Sequence, residues 1–476
     1  MNNSQNNTTT PTSSPRKNKT LYGIFLWAVI SFAYLLFVIN WGFSIGLNGS
    51  GIKDGVTHAG VLGHFKIVSD TSFALNNSAT NWAITFGRGI GSVMVALLLV
   101  RFAHKKTTII ALILTLFGIL AQFMPAAPYG YVLYLLLRTL MAIGGTMMII
   151  LTQPIVANFF TKKQKSIASQ FGIWFYPLGT IISIVPFVFI SKLDTIQNNW
   201  QVIFTVLAAL NIIPLLIFIF MGSKFDVTNK TQQSKTKEEN AGKILLGYLK
   251  QKQTYVWVML FGGWLAAVVF PTSLSINFFA DLAGVKRSLF TKEIRIWYIL
   301  FLAAVFIGPI SVGLWSRYNL KRRWFVATII GGGILFYVLS TIIFIFGIAK
   351  QPNGSAVRIT SFIFFYVFGF LAGLCLWGIQ GVILNLPHEY KDTNPKTVGW
   401  MFSLIWGFGY MFFTLCLIII SCVPLVGGAT NSGNNFTYAL IGTCLIVLMS
   451  LIAVIGALLI KEPSPDAKTF PSWSKK

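Results

Sequence analysis

Apolar runs of twenty or more residues, separated by short polar and basic segments, recur along nearly the whole chain. A helix rises 1.5 Å per residue, so roughly 20 residues cross about 30 Å of hydrocarbon. Twelve stretches reach that length: about 21 to 48, 79 to 100, 107 to 126, 131 to 157, 168 to 191, 200 to 221, 254 to 281, 294 to 316, 324 to 348, 358 to 386, 398 to 424 and 437 to 460. The strands of a large barrel would instead alternate apolar and polar residues over about ten positions. The pattern therefore predicts an all-α membrane protein with twelve transmembrane helices.

A Lys, Gln and Asn-rich segment at 222–253 divides these stretches six and six, giving bundles at 21–221 and 254–460 with tails at 1–20 and 461–476. The first tail reads as a disordered cytoplasmic segment, since it lacks the apolar core and cleavage site of a signal peptide. The segment 49–78, rich in Gly and Asn, is long enough to form a cap over an entrance. Internal similarity points to duplication. VRFAHKKTTIIAL between stretches 2 and 3 aligns with SRYNLKRRWFVAT between 8 and 9, placing Arg101 on Arg317 and Lys105 on Lys321. GIWFYPLG in stretch 5 aligns with LIWGFGY in stretch 11, Ile173 and Trp174 falling on Ile405 and Trp406.

Composition agrees with the pattern: of 476 residues 55% are hydrophobic and 10% charged, with a mean hydropathy of +0.71, whereas soluble domains carry about 25% charge. The net charge of +25 raises the question of nucleic acid, and its distribution answers it. If the N-terminus is cytoplasmic, 26 of the 37 Lys and Arg lie in cytoplasmic segments, nine in outer ones, and two, Arg88 and Arg138, inside apolar stretches. That asymmetry is the positive-inside bias of a cell-membrane protein with both termini cytoplasmic; no nucleic-acid partner is expected. Cys375, Cys416, Cys422 and Cys444 read as packing residues, with no metal set and no disulfide framework. No GxxxxGK[ST] occurs, which excludes an ATP motor in this chain, and no cofactor or enzymatic activity is expected.

Several residues then show a resemblance. The segment Ala96-Leu97-Leu98-Leu99-Val100-Arg101-Phe102-Ala103-His104-Lys105 is similar to the loop 2-3 motif GxLxDRxGR[RK] of the major facilitator superfamily (MFS), keeping Arg101 and the basic cluster but replacing both glycines and the Asp. Its repeat, Val312-Gly313-Leu314-Trp315-Ser316-Arg317, also lacks the Asp. Arg138-Thr139-Leu140-Met141-Ala142-Ile143-Gly144-Gly145 resembles the family's fourth-span signature, and Gly172 with Pro177-Leu178-Gly179 gives a thin version of its fifth-span pattern. Arg88 in the middle of span 2 is similar to the nitrate and nitrite porters, without their glycine-rich signatures in spans 5 and 11. The resemblance implies two pseudo-symmetric six-helix bundles around a central cavity, open to each side in turn, with substrate near the midplane between them. Spans 1, 4, 7 and 10 would line it. Arg101, Lys105, Arg317 and Lys321 would belong to the gating loops.

The chemistry narrows to two cations. Arg88 lies 13 residues before Arg101, about 20 Å from the cytoplasmic boundary, and Asn81, Thr85, Arg88 and Ser92 form a polar stripe at helical spacing. Such a stripe faces a wet cavity or another helix. Arg138 follows the turn at 125–128 by 10 residues, about 15 Å of helix. Each arginine has two readings: one contacts a ligand, the other is satisfied by helix packing, and the framework position of Arg138 favours packing there. All twelve Asp and Glu fall outside the apolar stretches or at their ends, so no buried proton relay can be drawn. An intramembrane cation without a carboxylate points to an anionic ligand, which supplies the counter-charge itself.

The expected function is thus secondary or facilitated transport of a small, anionic organic solute by alternating access. The candidate substrate contacts are Arg88, Arg138, Asn40, Trp41, Trp264, Trp377 and Gln380, among in-span aromatics and amides that also include Tyr34, Gln153, Trp174, Tyr176, Asn277 and Trp406. Gly144, Gly145, Gly369 and Gly373 are expected at close helix contacts. The partners expected are the solute and the lipid bilayer, with the chain a monomer. A carrier of a neutral nutrient or drug, and a non-transporting sensor on the same scaffold, stand as alternatives.

Overall fold

A computed structural model describes residues 15–53, 55–68, 73–160, 162–189, 193–222, 246–273, 275–286, 289–316, 321–390, 395–427, 436–463 and 465–467. It is almost wholly helical, as a chain in hydrocarbon must be, because only a helix or a closed barrel pairs every backbone N–H and C=O without water.

The spans run as follows. Span 1 is Pro15–Leu47. Spans 2 and 3 form one helical run, Phe73–Ala121, interrupted at Ala103 (φ 57°). Span 4 is Pro128–Phe159 and span 5 Lys162–Phe189. Span 6 joins Trp200–Ala209 to Ile212–Met221. Span 7 is Lys252–Ser273 followed by Ser275–Leu282. Span 8 is Thr291–Phe306 with Gly308–Trp315, bent by 47° between them. Span 9 is Arg322–Ala349 and span 10 Ala356–Leu384. Span 11 is Pro395–Gly427 and span 12 Phe436–Leu459. Among the described residues ten helices are long and apolar enough to cross a membrane; the bent span 8 and the apolar stretch Trp174–Phe187 of span 5 stand beside them, consistent with twelve.

Several boundaries differ from the sequence reading. Helix begins at Pro15, inside the segment expected to be disordered, and span 2 begins at Phe73, six residues early, because the polar run Asn76-Asn77-Ser78 continues the helix. Most of the 222–253 connection lies outside the described residues. His104, read as a loop residue, is buried and its Nε2 lies 2.9 Å from the Leu151 carbonyl oxygen: the chain turns at Ala103 without leaving the bundle.

Glycines set the closest helix approaches. A Cβ on Gly144 would stand 2.3 Å from the Ala111 carbonyl oxygen, and one on Gly145 2.3 Å from the Phe37 ring. In the second half a Cβ on Gly369 would meet Trp297 at 2.2 Å, and one on Gly373 the Phe301 carbonyl at 2.0 Å. All four positions expected at close contacts therefore require glycine. Each half has its own core, around Phe37, Met147 and Leu151 in the first and around Trp264, Trp297 and Phe365 in the second.

The segment after span 1 is a small built unit. Ile52–Lys53 pairs antiparallel with Val56–Thr57, a helical turn follows at Val61–His64, and Gly49 and Gly60 take positive φ at the turns. Phe65 anchors it, with ring centroids 5.6 Å from Tyr131, 5.4 Å from Tyr134 and 6.1 Å from Trp200. It caps the end of the N-terminal bundle, where burial of Val61, Leu62 and Phe65 against spans 4 and 6 holds it.

Candidate functional site

The halves meet along spans 2 and 11 and along spans 5 and 8. A Cβ on Gly89 would lie 3.0 Å from the Gly407 carbonyl oxygen, so these two backbones touch almost directly. One helical turn away the Thr414 hydroxyl donates to the Thr85 hydroxyl at 2.8 Å. Spans 5 and 8 meet through Trp174 and Phe306, 5.5 Å apart, and through Arg295, which donates to the Phe187 carbonyl.

At the centre of this contact lies Arg88, 1% exposed. Its Nη2 donates to the Tyr34 hydroxyl at 3.1 Å. Its Cζ lies 4.4 Å from the ring centre of Tyr410, 5.0 Å from Trp41, 5.6 Å from Tyr176 and 5.9 Å from Phe37. Among the described residues Nε and Nη1 have no hydrogen-bond partner. Desolvated cation–π contacts are worth about 2 kcal/mol, against at least about 2.5 kcal/mol for a charge at this depth and about 1–3 kcal/mol for each buried donor left unpaired. Four ring faces offset much of the burial of the charge but accept no hydrogen bond from Nε or Nη1.

Arg138 is equally buried but differently served. Its Nη1 donates to Asn40 Oδ1, and its Nη2 to Ser44 Oγ and, at 3.2 Å, to the Asn40 carbonyl. Its Cζ rests 4.5 Å from the Phe204 ring and 5.7 Å from that of Tyr134. Asn40 Nδ2 in turn donates to the Phe204 carbonyl at 3.3 Å. Arg138 and Asn40 thus tie span 4 to spans 1 and 6 inside the N-terminal bundle, away from the junction of the halves.

The aromatic candidates form a closed circuit. From Arg88 it runs to Trp41, on to Tyr176 at 5.7 Å, to Trp377 at 5.6 Å and to Trp264 at 6.1 Å. It continues to Phe261 at 5.5 Å, Trp406 at 4.6 Å and Tyr410 at 5.7 Å, which faces Arg88 again. Residues of spans 1, 2 and 5 from one half and 7, 10 and 11 from the other therefore ring a single locus. Beside it lies a narrow cleft between side chains, lined by Trp41, Asn81, Thr85, Tyr176, Thr180 and Tyr298 among others. The rings of Trp41 and Tyr176 line it on one side and face Arg88 as well. The polar stripe of span 2 borders it: Asn81 Oδ1 accepts from Trp41 Nε1 at 3.0 Å.

Of the other candidates, Trp264 donates through Nε1 to the Leu376 carbonyl at 2.7 Å and is fixed in the wall. Trp377 Nε1 and Gln380 Oε1 are buried without partners among the described residues. Gln153 is exposed and takes no part in the circuit, and the side chain of Asn277 lies outside the described residues. Tyr410, Tyr298, Thr414 and Phe261 escaped the sequence reading. Tyr410 follows Trp406 by one helical turn, which puts both on one face, and that spacing was the available signal.

The basic loop residues serve the termini-bearing face. Arg101 is exposed, 5.3 Å from the Phe102 ring, and Lys105 Nζ donates to the Ile219 carbonyl at 2.7 Å. Arg317 lies outside the described residues. Lys321 precedes span 9, its carbonyl accepting from the Phe325 N–H at 3.0 Å. Two carboxylates meet the start of span 9: Arg322 Nε pairs with Glu389 at 2.7 Å, and the Arg322 and Arg323 N–H groups donate to Glu462 at 3.0 and 3.1 Å.

Two helical bundles meeting around a buried polar and aromatic locus define a membrane carrier of the major facilitator type. The chain belongs to the Mycoplasma MFS transporter family, whose profile matches residues 134–426. It is 44% identical to an uncharacterized protein of Mesomycoplasma hyopneumoniae strain J, over 94% of this chain and 92% of the relative. It is 24% identical to a major facilitator superfamily transporter of Mycoplasma pneumoniae, over 94% of each. The fold matches the crystal structure of the E. coli fucose:proton symporter with a TM-score of 0.59 at 14% identity, over 93% of this chain and 99% of that one. The protein is a multi-pass membrane transporter that works by alternating access.

Proposed function

We propose that the solute is a small organic anion and that Arg88 binds its charged group. The observation that supports this most is the state of Arg88: fully buried, faced by rings from both halves, and carrying two guanidinium N–H positions that no atom of the described residues accepts. Planar guanidinium donors match the geometry of a carboxylate or phosphate, and an anion satisfies charge and hydrogen bonds at once. Arg138, whose two Nη groups donate to Asn40 and Ser44 and whose Nε alone is without a partner among the described residues, holds the N-terminal bundle in shape. The site is expected in the cell membrane of a chain with both termini cytoplasmic, acting as a monomer.

Uptake of a panel of labelled anions and neutral solutes into proteoliposomes tests the reading. Arg88→Gln is expected to lower anion uptake by at least about tenfold, the loss of one charge-assisted hydrogen bond. Anion uptake unaffected by that substitution would refute it. One feature favours a neutral, sugar-like solute: the cleft wall of Asn81, Thr85 and Thr180 among aromatic rings, in a fold shared with a fucose:proton symporter. In that case neutral compounds alone enter, and Arg88→Gln is silent.

A further inference from the structure

Resting on the anion reading, a second pole of the same site narrows the class of solute. Trp377 lies in the last turn of the long helix of span 10, Ala356–Gly378, and Gln380 opens the short helix Gln380–Asn385 that continues it after Ile379, three residues on and so within reach of the same side. Both are buried, 2% and 8% exposed. Among the described residues Trp377 Nε1 lacks an acceptor and Gln380 Oε1 lacks a donor. Folded proteins pair nearly all such groups with protein or ordered water, and the neighbouring Trp264 shows the ordinary outcome, its Nε1 bonded to the Leu376 carbonyl. A donor and an acceptor left open side by side require a partner that is both. A water meets that need in the empty carrier, and on a solute the smallest such group is a hydroxyl, giving one hydrogen and accepting at its lone pairs.

Position links this pair to Arg88. The Tyr176 ring stands between them, 5.6 Å from the Arg88 Cζ and 5.6 Å from the Trp377 ring. The cation is presented by the N-terminal half and the hydroxyl-binding pair by the C-terminal half, so one solute that meets both brings the halves together.

We infer that the carrier selects hydroxylated organic anions, with the carboxylate or phosphate on Arg88 and a hydroxyl shared between Trp377 Nε1 and Gln380 Oε1. Tyr176 packs against the carbon body between the poles. In the empty carrier an ordered water takes the place of that hydroxyl. Trp377 and Gln380 are then specificity-determining residues, and anions without a hydroxyl bind less well because they leave both groups open.

The test is binding to the purified full-length protein in nanodiscs, by calorimetry, with two matched pairs: gluconate against hexanoate, and glycerol 3-phosphate against propyl phosphate. The wild type is expected to prefer the hydroxylated member of at least one pair by about tenfold or more. Trp377→Phe and Gln380→Leu are each expected to bring that ratio to within about threefold, while leaving the affinity for the deoxy member within about twofold. The pair that discriminates tells carboxylate from phosphate. Equal binding within both pairs, or a preference that survives both substitutions, overturns the inference and leaves the anion reading standing. If none of the four compounds binds, or if Arg88→Gln binds all four as the wild type does, the anion reading falls and the inference with it.

Discussion

Two arginines of equal burial differ in their hydrogen bonding, one donor group of Arg88 and both Nη groups of Arg138 being paired, and the difference is testable side chain by side chain. Arg138 spends both Nη groups on Asn40 and Ser44 and leaves only Nε open; Asn40→Leu removes an acceptor from a buried cation and the donor to the Phe204 carbonyl. That costs about 1–3 kcal/mol, more for the charged partner, so the detergent-solubilised protein is expected to melt several degrees lower. Arg88→Gln removes a cation that the fold itself does not fully satisfy; its melting temperature is expected to stay at or above the wild-type value while anion uptake is lost. If Arg88→Gln lowers melting as much as Asn40→Leu, Arg88 is a packing residue after all. The sequence showed both cations and the missing carboxylates, because intramembrane charge is visible in any hydropathy pattern. It did not show which cation was served, since Ser44, Phe204 and Tyr410 reach the arginines only through the folding of spans 1, 6 and 11.

Among the elements, the crossing of spans 2 and 11 is the tightest junction between the halves. Gly89→Val would drive its side chain against Met411 and the Gly407 carbonyl, and overpacking of this kind typically costs about 1–3 kcal/mol. Transport by this variant is expected to fall severalfold with the protein still present in the membrane fraction; wild-type uptake would mean that the two spans do not approach during the cycle. At the start of span 9, Glu462 accepts two of the open N–H groups. Glu462→Ala is expected to cost about 1 kcal/mol, as the loss of a helix cap does, and to speed amide exchange at residues 322–326. Unchanged exchange there would show that the carboxylate is not the cap. The bend of span 8, by contrast, was not legible: its apolar run is continuous in sequence, and the break at 304–307 falls where it packs against Gly373 and Gly378 of span 10.

For the whole molecule, the expected topology can be checked directly. Thr57, on the exposed hairpin of the cap, and Asp466, beyond span 12, should lie on opposite faces. In a background with its four cysteines replaced, Thr57→Cys is expected to react with an impermeant thiol reagent added outside intact cells, and Asp466→Cys only after permeabilisation; the reverse result would invert the orientation drawn from the basic residues. Sequence by itself determined the class, the number of spans, the six-and-six division and the presence of two deep cations, because crossing hydrocarbon imposes length and polarity on each segment independently of its neighbours. Tertiary structure alone decided which cation faces the junction of the halves, that rings from five other spans form a circuit with it, and that Trp377 and Gln380 are left open among the described residues. Those facts depend on how helices far apart in the chain rotate and pack against one another, and the hydropathy of a single span carries no record of the rotation its neighbours impose.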